Sequence, residues 1–239
     1  MAAPRSTIYL IRHAESVHNV TKDFSIRDPG LTDLGKTQAA ALRTTFPALE
    51  SVGLIVSSPL TRTIETTLAA FGNIIANNKN DDNKNDDNNG QGGEKGVKLI
   101  LDPNLQERSD LPCDTGSDLA VLEERFPGLG WFEKEGGVFK EGEQQPWWAK
   151  EGLSAADDAA VARRAAAVRR QLLGRARELE RAADHPGAKV DIAVVTHGVF
   201  MKFLSEDQGI DLPKAGFKAY RVEERDGSDG EGEAVLVPV

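Results

Sequence analysis

Ile8-Tyr9-Leu10-Ile11-Arg12-His13-Ala14-Glu15 is the stretch on which the reading of this chain turns. Four apolar residues run without interruption into an arginine and a histidine. A short continuous apolar run fits a strand buried on both faces, as strands of parallel sheets are. Three further runs of this kind lie at Leu54–Val56, Leu99–Leu101 and Ile192–Val195. Helix-forming stretches stand between them, at Gly35–Phe46, Thr61–Phe71 and Ala155–Ala183, the last with Ser154 placed as its N-cap. Strands alternating with helices predict an α/β fold, one domain over residues 1–239 with a mainly parallel central sheet flanked by helices. Tyr220–Glu223 and Ala234–Val237 are candidates for closing, antiparallel strands.

Ligands of open α/β sheets bind beyond the carboxyl ends of the strands. Arg12 and His13 follow the first run, and Ser57 to Arg62 follow the second. Glu107 comes a little after the third, and Thr196, His197 and Gly198 follow the fourth. Two histidines, two arginines and a carboxylate at one sheet edge suit phosphoryl chemistry. Guanidinium groups grip phosphate oxygens through charge-assisted hydrogen bonds. A neutral imidazole can attack phosphorus, and a carboxylic acid can protonate the departing oxygen. Asp110 and Asp114 stand near enough to Glu107 to be alternative acids, and Asn19 either binds phosphate or caps a turn.

The blocks that carry these residues are Leu10-Ile11-Arg12-His13-Ala14-Glu15-Ser16 with Asn19, Leu31 to Ala39, Ser57-Ser58-Pro59-Leu60-Thr61-Arg62-Thr63, and Val195-Thr196-His197-Gly198. In this order they resemble the conserved blocks of the histidine phosphatase superfamily, the phosphoglycerate mutase-like family. Ala14 stands where that family has glycine, and Leu105-Gln106-Glu107-Arg108-Ser109-Asp110 lacks the His-Tyr-Gly that follows the glutamate of mutases. The Pro112–Ser117 stretch looks like that of fungal phosphomutase-like phosphatases. The resemblance implies a phosphoglycerate mutase-like fold and a phosphatase acting through a phosphohistidine on His13. It further implies that Arg12, Arg62 and His197 hold the phosphoryl group and that Glu107 serves as acid and base. A mutase-like phosphotransferase and a silent phospho-ligand binding module are the alternatives.

Net charge is −9, concentrated in residues 81–94 and 223–233, which speaks against a nucleic-acid or membrane-surface partner. Cys113 is the sole cysteine, so neither an internal disulfide nor a cysteine zinc site can form. The Cys-x5-Arg phosphatase pattern fails as well, because position 119 is leucine. No cofactor or metal is expected, and a cytoplasmic protein acting on a small phosphorylated substrate fits best. Gly30 to Thr37 matches the P-loop pattern letter for letter, but the polar, proline-ending segment before it is no buried strand. Residues 77–95 are a low-complexity Asn/Asp/Lys/Gly insert, read as a disordered surface loop. Pro127–Trp148, rich in glycine and aromatics, is either a packed loop or a substrate wall. His18 and His185 are assigned no role in the chemistry.

Overall fold

The computed structural model describes residues 4–76, 96–127, 146–183, 185, 187–226 and 232–239. The insert at 77–95 and the aromatics Trp131, Phe132 and Phe139 lie outside them. Six strands form one sheet: β1 (Thr7–Arg12), β2 (Val52–Ser57), β3 (Lys98–Leu101), β4 (Asp191–Thr196), β5 (Phe217–Asp226) and β6 (Gly232–Pro238), in the order β3-β2-β4-β1-β5-β6. The first four are parallel, β5 pairs antiparallel with β1 and β6 antiparallel with β5, so the expected sheet and its antiparallel-paired closing strands are both present.

The apolar runs are uninterrupted because both faces of the sheet are covered. Ile8 and Leu10 of β1 and Ile192 and Val194 of β4 pack with α5 (Asp158–Ala182) and α6 (Gly198–Leu204). Their neighbours Ile11, Ala193 and Val195 point the other way, into a cluster with α2 (Asp33–Thr45) and α3 (Thr61–Phe71). Two shorter helices among the described residues are α1 (Val17–Thr21) and α4 (Leu119–Arg125).

Two details differ from the sequence reading or sharpen it. Ser154 does not cap the long helix: it ends a 3₁₀ turn over Gly152–Ser154. The cap is Asp157, whose side chain accepts the Ala160 N–H at 2.9 Å. Serine and aspartate are both good caps, and the turn between them decides which is used. The P-loop look-alike has a packing explanation. No strand leads directly into Gly30, whose preceding residues 22–29 form turns and bends, and α2 begins at Asp33, so Lys36 and Thr37 lie inside the helix. Gly35 is glycine because a Cβ there would stand 2.0 Å from the Glu15 carbonyl oxygen. That contact seats α2 against the segment that follows β1.

Candidate active site

Parallel pairing of β1 with β4 places Arg12 opposite Thr196, and the ladder continues as the His13 N–H donates to the Thr196 carbonyl at 3.0 Å. Ser58, just past β2, donates its N–H to Val195 of β4 at 3.0 Å. These bonds bring three strand ends to one place. His13 and His197 lie side by side there, ring centroids 5.2 Å apart.

The tautomer of His13 follows from its partner. Nδ1 of His13 lies 2.7 Å from the Ala14 carbonyl, which can only accept, so Nδ1 carries the proton and Nε2 keeps its lone pair. Burial, then Arg62 and Lys214, holds the His13 pKa well below 6.5. Desolvation, more than the neighbouring Arg62, is thus the main reason His13 is neutral. Nε2 of His197 is hydrogen-bonded to Ser58 Oγ at 2.9 Å, and its Nδ1 is buried with no partner among the described residues.

The guanidiniums are held from behind. Arg62, almost wholly buried, donates to the Cys113 carbonyl and to Asp114 Oδ1, both at 2.7 Å. Arg12 donates through Nη1 to Asp211 at 2.9 Å and to the Leu212 carbonyl, and its plane lies over Gly198, where a Cβ would come within 3.1 Å of it. In each arginine Nε is buried without a partner among the described residues.

Of the three carboxylates considered, Asp114 is committed to Arg62 and to Ser109, and Asp110 is exposed. Glu107 sits at the start of α6. Its Oε1 accepts the N–H groups of Phe200 and Arg108, both at 2.8 Å, and its Oε2 that of Val199 at 3.0 Å. It is half-buried. With both lone pairs of Oε1 used, a catalytic proton on Glu107 belongs on Oε2.

Arg12, His13, Asn19, Arg62 and Glu107 all line one cavity of about 640 Å³, whereas His197 stands behind its wall. Asn19 does cap, accepting the Ser16 N–H at 3.1 Å, and its amide also faces the cavity. His18, assigned no role from the sequence, is in the site: it lines the cavity, accepts from Asn19 at Nε2 and lies 6.3 Å from His13. Its place in the Arg12–Asn19 block was the only available signal. His185 is exposed, away from the cavity. Cys113 is a packed side chain whose thiol burial pushes up to about 11. Trp147 and Trp148 anchor the end of the aromatic segment on residues 117 and 118 by their indole N–H groups. Among the described residues no three His, Cys, Asp or Glu form a metal-binding group, and no helix is long and apolar enough to cross a membrane.

These buried histidines make stability depend on pH. Burial and Arg62 lower His18 to about 4, and His13 and His197 also lie well below 6.5. Between about pH 6.5 and pH 4 the unfolded chain therefore binds more protons, and stability falls as pH falls through that window. Each histidine steepens the fall by up to about 1.4 kcal/mol per pH unit. Denaturant unfolding at pH 7, 6 and 5 should show this, and His18→Asn should flatten the dependence. An unchanged slope in that variant would contradict the buried neutral state.

Residues 8–81 match the model of the histidine phosphatase superfamily (branch 1). A Schizosaccharomyces pombe protein described as a probable phosphatase is 30% identical over 128 residues, covering 52% of this chain and 51% of that one. A phosphoglycerate mutase-like protein of Arabidopsis thaliana is 31% identical over 142 residues, with 52% of each covered. The chain thus spans about half the length of the curated relatives it matches. Among solved structures, a mycobacterial glucosyl-3-phosphoglycerate phosphatase complexed with VO3 superposes with TM-score 0.52 at 19% identity, covering 97% of both chains. A structure named mycobacterial hydrolase 1 gives 0.53 at 20%, covering 97% of this chain and 96% of that one; at such identities the likeness is one of fold. Residues 8–81 thus match the histidine phosphatase superfamily model, and the fold resembles that of the two mycobacterial structures.

Proposed function

We propose that this protein is a metal-independent phosphatase that hydrolyses phosphomonoesters through a phosphohistidine. The observation that carries the proposal is the set of N–H groups around His13. Nε of Arg12 and Nε of Arg62 are each buried with no partner among the described residues, and His197, beside His13, backs the same end of the cavity. Buried donors are costly unless bonded, and a phosphoryl group at His13 would supply the acceptors. The second proton of the Asn19 amide is a further donor to it.

In the first step the Nε2 lone pair of His13 attacks phosphorus and the P–O bond to the leaving group breaks. The departing oxygen keeps the bonding pair and takes the proton from Oε2 of Glu107. In the second step water attacks phosphorus while Glu107 accepts its proton, and the P–N bond breaks with its electrons returning to Nε2. Charge spread over the phosphoryl oxygens in both steps is met by the fixed guanidiniums.

Phosphate release from p-nitrophenyl phosphate tests this reading. Turnover should survive EDTA and be inhibited by vanadate, which mimics the phosphoryl group in transfer. No turnover would favour a silent phospho-ligand module, and loss with EDTA that magnesium restores would favour a metal-dependent mechanism. Cytoplasmic location is part of the same proposal.

A further inference from the structure

The segment that brings Glu107 to the cavity has no ladder to hold it. β3 ends at Leu101, and from Asn104 to Glu107 no carbonyl accepts a main-chain N–H among the described residues. Each is taken by a side chain instead. Arg164 donates to the Asn104 carbonyl at 3.0 Å and to that of Gln106 at 2.7 Å. Thr196 donates to the Leu105 carbonyl and Lys150 to that of Glu107, both at 2.8 Å. Buried carbonyls need partners, but a neutral hydroxyl suffices for that, as Thr196 shows. Two cations in the same role call for a further reason.

Arg164 is wholly buried in α5, and two of its nitrogens, Nε and Nη2, have no partner among the described residues. Burial, and then Arg164, lowers the Lys150 ammonium to about 7; protonated or not, it keeps an N–H for the carbonyl. Cations are costly to hold in such places. What the two share is Glu107: Arg164 grips the main chain on one side of it and Lys150 on the other. Arg164 also lies over the Phe200 ring, its guanidinium carbon 4.4 Å from the ring centroid. The Phe200 N–H is one of those that hold the Glu107 carboxylate. One guanidinium thus touches both the main chain from which Glu107 springs and the helix that receives its carboxylate. Lys150 arrives from a third part of the chain, just after Trp147 and Trp148, whose indoles are bonded to Ser117 and Asp118.

We propose that Lys150 and Arg164 are positioning residues for the proton donor: by fixing the main chain on either side of Glu107 they hold its Oε2 where the departing oxygen can take its proton. The inference rests on the phosphatase reading above. Neither residue lines the cavity, so their effect on the reaction runs through Glu107 rather than through contact with the substrate.

The test is the rate of phosphoenzyme formation from propyl phosphate and from p-nitrophenyl phosphate. A general loss of structure slows both, whereas a displaced proton donor slows the alkyl substrate, whose alkoxide needs the proton. Lys150→Met should slow the alkyl reaction about tenfold or more, the scale of a small misplacement in an active site, and change the aryl reaction by less than about twofold. Arg164→Lys, which keeps a cation but gives up the planar fork between two carbonyls, should show the same selectivity. In a Glu107→Gln background, Lys150→Met should add little to the alkyl loss, because the group it positions is already gone. If either variant does not fold, Lys150→Gln, polar but one bond short of the carbonyl, decides. Equal losses on both substrates, no loss on either, or a fully additive loss on top of Glu107→Gln overturns the inference and leaves the phosphatase reading standing. A wild type that forms no phosphoenzyme from either substrate overturns the phosphatase reading, and a Glu107→Gln variant with equal losses on both overturns the assignment of the proton donor. The inference falls with either.

Discussion

Glu107→Gln should slow hydrolysis of alkyl phosphates by ~10²–10⁴-fold, the usual contribution of general acid catalysis. An alkoxide leaves poorly without a proton, and Oε2 of Glu107 is the atom with a lone pair to carry one. The substitution is nearly isosteric but not silent. A glutamine oxygen can still accept from Phe200 and Arg108, while its NH₂ would face the Val199 N–H. Val199 is exposed, so water can take over that bond, and the structural cost should be small. A pair of substrates separates the two effects. Phosphoenzyme formation from an aryl phosphate with a low-pKa leaving group should suffer far less than from an alkyl phosphate, measured as the burst phase. Dephosphorylation may not be used for this comparison, because the same carboxylate activates water there. Equal losses in the first step on both substrates would mean that Glu107 only positions α6, and Asp110 and Asp114 would be the next residues to test. Asp114→Asn would need care in interpretation, since it also releases Arg62.

His13→Ala should lower turnover of every phosphomonoester to the background of the assay, whatever its leaving group. The nucleophile is required in both steps, so no substrate choice rescues its loss. The fold should persist. His13 is neutral and its ring makes a single hydrogen bond, to Ala14, so the variant loses packing and that bond but leaves no charge unpaired. Circular dichroism and thermal unfolding should therefore report a folded protein of somewhat reduced stability. Retained turnover in a folded His13→Ala protein would move the nucleophile elsewhere, with His18 as the neighbouring imidazole in the cavity.

What could be read from the sequence was whatever repeats a physical pattern locally. Ile8–Ile11 and Ile192–Val195 announce strands covered on both faces, and the structure has them in the parallel centre of the sheet. Arg12, His13, Arg62 and His197 follow strand ends, where backbone geometry alone brings them together. Glu107 was harder because spacing could not separate it from Asp110 and Asp114; only the N–H groups of Val199 and Phe200, from another part of the chain, show where its carboxylate is held. His18 was missed because its role as a cavity wall depends on α1 turning it back beside His13, which no periodicity records.

The most direct test of the account is the chemical identity of the phosphorylated intermediate. Wild-type protein mixed briefly with a turned-over, ³²P-labelled substrate and quenched in base should carry label on a peptide containing His13. That label should be stable to base and labile to acid, as a P–N bond is, and should be absent from His13→Ala. A base-labile acyl phosphate, a label that resists acid, or a label that persists in His13→Ala would contradict it.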